Sequence, residues 1–404
     1  MSTVLDLPFK TLRPRILVAP SGFKECADPA QVADWIEKGL RRVMPHHSTE
    51  IQTWPLQDGG EGFLDAMVRK WNGSVLETRV FGPMGEEIEG RIGLVDDGAT
   101  AVIETAQVAG LRLIPPAERC PTLTTSAGVG MLIRKALEET LVTKIIIGCG
   151  DTGTVDGGIG LLRLLGGEFW SGGKELKTHL ISADLEHIDR IDLSRVHWKL
   201  RSKLVILDVV CNIHNVLCGL DGMVRIYGPQ KGVKPEDIEP LSSAVDKFAA
   251  VAKRCTGMDV GNMPGSGASG GMGAALLLLG ARMTDRRAAF HWYFDFDSIM
   301  AQRWDLVITG EGRLDKQSLR GKAISEMAMA AKERGIPVIC LAGSVERSNN
   351  YTDAGIGVTF PILDRPMSTT QAIKRAPYLV MDTAERVARS VLVGWEMARL
   401  MDRA

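Results

Sequence analysis

Residues 305–322 read DLVITGEGRLDKQSLRGK, an apolar run that leads into two glycines and a cluster of charges. The apolar run 306–308 predicts a short buried strand, and Gly310 and Gly312 after it permit a ligand to approach the backbone closely. The charged residues that follow the strand are Glu311, Arg313, Asp315 and Lys322. The pattern predicts a ligand-binding loop at a strand end, and the alternative is a charged loop that is merely solvated.

A second acidic, glycine-rich turn follows a predicted strand near the other end of the chain. Residues 57–62 read QDGGEG and come directly after the predicted strand 51–56. In open α/β sheets, ligands bind beyond the carboxyl ends of the strands, and Mg²⁺ prefers carboxylate oxygens. Asp58 and Glu61 are therefore candidates for metal coordination or for a general base. In the alternative, the glycines only supply a turn and Asp58 caps a helix over 61–70.

The composition is typical of a globular α/β enzyme. With 404 residues, 45% of them hydrophobic, the chain can bury a sizeable core in about two or three domains, and its 44 glycines favour many strand-to-helix turns. A net charge of -1 and 5% aromatic residues predict no nucleic-acid or membrane surface. The seven cysteines form no CxxC pair, and no apolar leader or membrane span is present, so we expect a reduced, cytoplasmic protein.

Predicted strands and helices alternate at both ends of the chain, which is typical of a parallel sheet covered by helices. Asp28 and Pro29 predict the start of the first helix. The predicted strands are 15–20, 51–56, 144–148, 306–308 and 338–342, and the predicted helices are 28–44, 130–139 and 323–334. Because strand 15–20, helix 28–44 and strand 51–56 form a βαβ unit, their strands should pair in parallel.

Short alternating segments separated by Gly-Pro and Asp-Asp-Gly turns occupy residues 73–113 and predict antiparallel hairpins. We therefore predict an α/β protein of two domains with a cleft between them. Residues 1–70 and 285–404 form a discontinuous, Rossmann-like domain with a parallel sheet. Residues 71–284 form an inserted second α/β domain that contains the antiparallel hairpins.

The stretch 265–273, GSGASGGMG, contains a GxGxxG pattern. It is not a dinucleotide-binding fingerprint, because the preceding residues MDVGNMP make no convincing strand. Successive backbone N–H groups in a glycine-rich turn at a helix start can nevertheless bind phosphate. The alternative is close packing of a helix through small residues.

Other polar residues follow predicted strands or precede predicted helices. Residues 148–158 read GCGDTGTVDGG, and their hydroxyls and acids can bind a metal or a hydroxylated substrate, or cap a helix. Residues 124–126 are Thr-Thr-Ser at a helix start and are either a cap or an anion contact. Lys24 follows the first strand and can neutralise a phosphate or carboxylate, or is only a surface lysine.

The chain resembles the type 1 glycerate kinase family over residues 15–395. The blocks that carry the resemblance are DGGEG (58–62), TTSxGxG (124–130), DGG (156–158), GPQKG (228–232), GxGxxGGMGAAL (265–276), DLVITGEGRxDxQ (305–317) with Gly321 and Lys322, and AGS (342–344). The order and spacing of these blocks make a chance agreement implausible.

The resemblance implies an ATP- and Mg²⁺-dependent kinase that phosphorylates a hydroxyl of D-glycerate to give 2-phosphoglycerate, or of a closely related small hydroxy acid. A homodimer is left open. The implied catalytic residues are Lys24, Asp58 and Asp156, and the implied metal ligands are Asp58, Glu61 and Asp156. The implied nucleotide-binding residues are Gly265, Gly267, Gly270, Gly271, Glu311 and Arg313. The implied substrate-binding residues are Ser21, Thr125, Ser126, Thr154, Asp315 and Lys322.

Three loops depart from the family pattern. Members typically read APDSFK where residues 19–24 are APSGFK, GGSATNDGG where residues 150–158 are GDTGTVDGG, and CDVDN where residues 211–215 are CNIHN. The chain has thus lost three acids and gained Asp151. Because uncompensated charge matters in a low-dielectric site, the loops leave three alternatives open. The chain binds a more anionic substrate, uses metal differently, or is a catalytically silent member that binds nucleotide or metabolite in a regulatory role.

Overall fold

The computed structural model describes residues 13–23, 25–176, 179–315, 318, 323–346 and 351–401. The chain divides into two compact units. The first comprises Met1–Gln57 and Asp295–Ala404, and the second comprises Asp58–Phe294.

Strands and helices are numbered along the chain within the described residues. The strands are β1 (Arg15–Val18), β2 (Glu50–Thr53), β3 (Ser74–Phe81), β4 (Glu87–Val95), β5 (Thr100–Glu104), β6 (Lys144–Gly148), β7 (Glu168–Ser171), β8 (Lys174–Glu175), β9 (Arg190–Asp192), β10 (Ile206–Cys211), β11 (Arg282–Asp285), β12 (Leu306–Leu314), β13 (Val338–Val345) and β14 (Val358–Pro361). The α-helices are α1 (Pro29–Arg41), α2 (Phe63–Lys70), α3 (Ala106–Ala109), α4 (Ala127–Glu139), α5 (Ile159–Leu164), α6 (Trp198–Arg201), α7 (Met223–Lys231), α8 (Ile238–Thr256), α9 (Ala268–Leu278), α10 (Arg286–Tyr293), α11 (Phe296–Met300), α12 (Ala323–Glu333) and α13 (Thr369–Met401).

The sheet of the first unit is built from both ends of the chain. Its strands are all parallel and lie in the order β14-β13-β12-β1-β2, with Ile16 opposite Leu306. Asp28 caps α1, because its carboxylate accepts the N–H of Gln31 at 2.9 Å while the Gln31 side chain accepts the N–H of Asp28 at 3.1 Å. The predicted βαβ unit, the parallel pairing and the capped first helix are therefore confirmed.

The core of the first unit includes residues of the sheet and of helices α1 and α13. Val32, Ile36 and Leu40 recur at helical spacing on α1, and their side chains are fully buried. Gly39 lies where a side chain would collide with the backbone carbonyl of Met381 in α13, so the two helices pack in direct contact. Among the described residues, no helix combines the length and apolar character that a membrane crossing requires.

Strand β12 is longer than the sequence predicted. The prediction ended the strand at Ile308 and placed the following charges in a loop, but the strand continues to Leu314. Its parallel partner β13 continues beside it, and Arg313 still lies opposite Ser344. Because the pairing persists, Glu311 and Arg313 are strand residues rather than loop residues.

The second unit contains a mixed sheet in the order β11-β10-β6-β5-β4-β3. Strands β3, β4 and β5 are antiparallel, as the hairpin prediction required, whereas β5, β6, β10 and β11 are parallel. A separate antiparallel sheet has the order β8-β7-β9. The parallel strands end at one edge of the large sheet, where β5 ends at Glu104 and the segment 149–158 begins.

Helix α2 belongs to the second unit, whereas the sequence analysis placed residues 58–70 with the chain termini. Leu64 and Val68 of this helix pack against Gly93 of β4, where a side chain would meet Val68. Residues 285–294 also belong to this unit, because β11 pairs with β10. The compact units therefore divide at 57/58 and 294/295, which differs from the predicted divisions at 70/71 and 284/285.

Candidate active site

The acidic loop 58–62 lies against the carboxyl ends of the parallel strands in the second unit. Gly59 has a φ of +88°, and a side chain at this position would collide with the carbonyl of Val210 and crowd the backbone nitrogen of Cys149. Gly62 has a φ of +86° and begins helix α2. The glycines thus let the loop reach the backbone at the ends of β6 and β10, where the sequence predicted a site.

Asp58 is held by an arginine that the sequence analysis did not identify. The guanidinium of Arg286 lies 3.3 Å from the Asp58 carboxylate and also donates to the Asp58 carbonyl at 3.3 Å. The other carboxylate oxygen of Asp58 accepts the N–H of Gly60 at 3.2 Å. Arg286 is the first residue of α10, and Asp285 caps this helix. In the sequence, Asp285 indicates the helix start but not the contact of Arg286 with Asp58.

Two further carboxylates lie at the same loop. Asp151 accepts the N–H of Glu61 at 3.3 Å, and a side chain at Gly60 would collide with the Asp151 carboxylate. The φ of Asp151 is +50°, a conformation that glycine adopts more readily. Glu61 in turn forms an ion pair with Arg112 at 3.1 Å. The loop therefore gathers three acids, and two of them face arginines.

The family resemblance implies Mg²⁺, so the carboxylates at this loop are compared with the ligands that Mg²⁺ requires. Within the described ranges, no group of three or more His, Cys, Asp or Glu is arranged to hold a metal ion. Mg²⁺ is usually bound by one or two carboxylates, with substrate phosphates and waters completing the octahedron. Asp58 and Asp151, whose carboxylates both adjoin Gly60, meet that smaller requirement. The donor set thus fits Mg²⁺ only together with a phosphate-bearing substrate.

Glu104 binds the backbone where the acidic loop enters helix α2. This residue ends β5, is 5% exposed, and accepts the N–H of Leu64 at 3.0 Å and the N–H of Gly62 at the start of α2. Burial raises the pKa of Glu104 from 4.5 to about 7, although the two N–H donors lower it. The sequence analysis missed Glu104, because a single acid at the end of an apolar strand resembles any strand terminus.

Asp156 is fully buried and satisfied within the protein. Its carboxylate accepts the N–H and hydroxyl of Ser126 at 2.8 and 2.7 Å, the N–H of Gly158 at 3.1 Å and the N–H of Gly160 at 3.2 Å. Burial raises the pKa of this carboxyl, and the four donors act in the opposite direction. The geometry favours a role for Asp156 in positioning the loop, and its catalytic and metal-binding assignments stay predictions.

The predicted substrate-binding hydroxyls have different surroundings. Ser126 joins helices α4 and α5, since its hydroxyl also accepts the N–H of Leu161 at 2.9 Å. Thr125 accepts the N–H of Ala127 at 3.2 Å. Among the described residues, the buried hydroxyl oxygen of Thr154 has no hydrogen-bond partner. Thr125 and Ser126 therefore have structural contacts, whereas the hydroxyl of Thr154 has no hydrogen-bond partner in the described part of the chain.

The glycine-rich stretch 265–271 is buried and packs against the loop that follows β6. A side chain at Gly270 would collide with the carbonyl of Thr154, and one at Gly271 would collide with Gly157. The carbonyl of Gly270 accepts the N–H of Gly157 at 3.0 Å. Close packing, the alternative to an anion site, accounts for this geometry. The nucleotide-binding assignments of Gly265, Gly267, Gly270 and Gly271 stay predictions.

The first unit holds the remaining described residues of the prediction. The hydroxyl of Ser21 donates to the carbonyl of Gly310 at 3.1 Å. Glu311 is buried, and the exposed Arg313 forms an ion pair with the partly buried Asp315 at 3.5 Å. The roles of Ser21, Glu311, Arg313 and Asp315 stay predictions. Lys24 and Lys322, for which the resemblance implied catalytic and substrate-binding roles, lie outside the described residues.

Comparisons with known proteins agree with one another over nearly the whole chain. Residues 16–392 match the family model described as the glycerate kinase family. Glycerate kinase of Haemophilus influenzae is 36% identical over 378 residues, which cover 93% of this chain and 98% of the relative. Glycerate 2-kinase of Escherichia coli strain K12 is 35% identical over 387 residues, which cover 95% and 100%. A crystal structure from Salmonella typhimurium LT2, of a protein assigned as glycerate kinase 2, superposes with a TM-score of 0.71 at 36% identity and covers 95% of this chain and 100% of that chain.

Proposed function

This chain belongs to the glycerate kinase family, and we propose that it transfers a phosphoryl group from ATP to a hydroxyl of D-glycerate. It is a phosphotransferase with an alcohol group as acceptor. We infer 2-phosphoglycerate as the product, because the relative from Escherichia coli is named glycerate 2-kinase. A closely related small hydroxy acid is the alternative acceptor, because three loops depart from the family pattern.

The observation that carries the proposal is the convergence of Asp58, Glu61 and Asp151 at the strand ends of the second unit. Phosphoryl transfer to an alcohol needs a group that accepts the hydroxyl proton as the new bond forms. We assign this role to Asp58, because its carboxylate is oriented by Arg286 on one side and by the N–H of Gly60 on the other. A carboxylate held in one orientation loses little entropy when the substrate hydroxyl binds to it.

Mg²⁺ would supply charge neutralisation for the phosphate oxygens of ATP when it is bound. Asp58 and Asp151 are the residues that would hold it in this chain, and Glu61 lies next to them. Arg286 and Arg112 stay close to two of these acids. They limit the negative charge of the loop, so that an anionic phosphate or carboxylate can approach it.

The experiment is ADP release from Mg-ATP by the purified chain across a panel of small hydroxy acids, with phosphorus NMR of each product. The panel includes D-glycerate, L-glycerate and more anionic analogues, and a reaction without acceptor measures background ATP hydrolysis. We expect the largest kcat/KM with D-glycerate and a signal from a phosphate ester at the 2-hydroxyl. Turnover with another acid alone would show that this acid, and not D-glycerate, is the acceptor. No turnover with any acid would refute the kinase proposal.

A further inference from the structure

Strand β3 forms one edge of the large sheet in the second unit. It stands last in the strand order and pairs with β4 along its whole length, and no other strand in the described ranges pairs with its outer side. Edge strands expose N–H and C=O groups that can pair with another chain, so proteins usually keep such strands short or covered. Strand β3 has eight residues, and its edge is therefore a candidate interaction surface.

The odd-numbered residues of β3 define its outer edge. In an antiparallel pair, the backbone groups of successive residues point alternately toward the partner strand and away from it. The N–H of Gly82 points toward β4, because it donates to the carbonyl of Glu86 at 2.7 Å. The N–H of Phe81 points away from β4 and donates to the sulfur of Met131 at 3.4 Å. By this alternation, outward N–H and C=O groups also belong to Val75, Glu77 and Arg79.

Helix α4 covers this edge at one end. At Phe81, the outward N–H is taken by Met131, and a side chain at Gly128 would collide with the carbonyl. The ring of Phe81 also packs against that of His179, with 4.6 Å between the ring centroids. Residues 75–79 are the part of the edge that remains open to another strand.

The charges on this open part are self-complementary. Glu77 and Arg79 are exposed, whereas Leu76 and Val80 on the other face contact the core. A two-fold axis centred on Thr78 would pair β3 with the same strand of a second copy in antiparallel orientation. Glu77 of each copy would then lie opposite Arg79 of the other. Opposite charges that face each other across two strands stabilise the pairing, and like charges oppose it.

The charges also select this register over the alternatives. An axis at Glu77 or at Arg79 would set two like charges face to face, and an axis at Val75 or Leu76 would form no charge pair. Arg79 forms an ion pair with Glu87 at 2.7 Å, and both side chains are exposed. Because exposed ion pairs contribute little, the Arg79 side chain can turn toward a second copy at small cost.

We propose that β3 pairs with β3 of a second copy of this chain, antiparallel around Thr78, and joins the two six-stranded sheets into one. This inference goes beyond the kinase proposal and does not rest on it. Each hydrogen-bonded residue pair of an antiparallel ladder exchanges two bonds, so the two pairs of Glu77 with Arg79 supply four. The strand contact is smaller than the about 800 Å² per partner of a standard interface, so the dimer is reversible.

The first test is sedimentation equilibrium of the full chain over a range of protein concentrations. The wild type should show a dimer whose fraction rises with concentration. R79E sets like charges face to face in both pairs and should raise the dissociation constant by at least about 10-fold. The charge swap E77R/R79E restores opposite charges and should return the constant to near the wild-type value. K174E reverses an exposed charge on another sheet of the same unit and should leave it unchanged.

Cysteine cross-linking tests the register. Facing residues that are not hydrogen-bonded to each other have Cα atoms about 4.5 Å apart, a distance that a disulfide spans. T78C should therefore form a disulfide-linked dimer in oxidised glutathione, read on a non-reducing gel. V75C is the matched control, because in this register the two copies of residue 75 lie about 20 Å apart. Wild type treated in the same way measures the background from its seven cysteines.

Several outcomes would overturn the proposal. A wild type that stays monomeric at its highest soluble concentration would show that the charges on this edge prevent pairing. A dimer that R79E does not weaken, or that T78C does not cross-link, would lie on another surface. Weakening by R79E that the charge swap does not reverse would exclude the pairing of Glu77 with Arg79. Circular dichroism spectra of the variants identify any loss of folding, and T78C decides the register where R79E does not fold.

Discussion

Replacement of Glu104 by glutamine should remove a pH dependence of stability from the second unit. The wild-type carboxyl has a pKa of about 7 in the folded protein and 4.5 as its ordinary value, because burial disfavours its charge. The folded state therefore binds more protons than the unfolded state between these values, and stability falls as the pH rises through this window. Between pH 5 and pH 8 the free energy of unfolding falls by about 2 to 3 kcal/mol. Glutamine has no such titration.

The assay is hydrogen exchange of the amides of helix α2, followed by mass spectrometry at pH 5, 6, 7 and 8. Opening of this helix breaks the bonds from Leu64 and Gly62 and exposes Glu104 to water. The ratio of protection in E104Q to protection in the wild type cancels the intrinsic effect of pH on exchange. This ratio should rise by about 30- to 150-fold from pH 5 to pH 8. E118Q, a change at an exposed glutamate of the same unit, should show a constant ratio.

A ratio for E104Q that stays flat across this range would refute the reasoning. It would mean that the N–H donors and Arg91 compensate the buried charge fully, so that Glu104 stays ionised at little cost. A fall of the ratio would mean that the ionised carboxylate stabilises the loop more than the protonated form does. In either case, burial would not be the dominant effect on this carboxyl.

Three further predictions concern other parts of the second unit. D58N should lower kcat/KM by about 100- to 10,000-fold with an unchanged circular dichroism spectrum, and a wild-type rate would exclude a role for Asp58 as base or metal ligand. D208N should cost about 1 to 3 kcal/mol in urea unfolding, because Asp208 is fully buried and accepts two bonds of 2.7 Å from Arg282, which is itself exposed; a loss below about 0.5 kcal/mol would contradict this. G270A should lower the melting temperature or abolish folding, because its methyl group would collide with the carbonyl of Thr154 and its φ of +69° disfavours alanine; normal stability would show that the two segments can separate.

Local patterns in the sequence predicted much of the fold. Asp28, Pro29 and the spacing of Val32, Ile36 and Leu40 predicted α1, and alternation predicted the hairpins of β3, β4 and β5. These signals are local, since caps and periodicity depend on residues only a few positions apart. The length of β12 was not predicted, because glycines and charges in a strand read as a loop until the parallel partner is known.

The candidate site was predicted only where its residues stand in a motif. Asp58 and Glu61 belong to a glycine-rich turn, and the structure places them together at a strand edge. Arg286 and Glu104 reach the same loop from positions far along the chain. Asp285 marks only the helix start before Arg286, and a single acid at a strand end carries no local signal for Glu104. Distant residues of this kind become visible only when the topology brings the strand ends together.

The position of Asp151 gives a physical reading of one departure from the family pattern. Asp151 stands where the family pattern has glycine, and its φ of +50° is one that glycine adopts without strain. The substitution therefore keeps the backbone of the loop and adds a carboxylate that accepts the N–H of Glu61. The added negative charge lies at the acidic loop of the candidate site, next to Glu61. Because an added carboxylate repels an anion, this departure argues against a more anionic acceptor and favours either a singly charged hydroxy acid or a changed use of the metal.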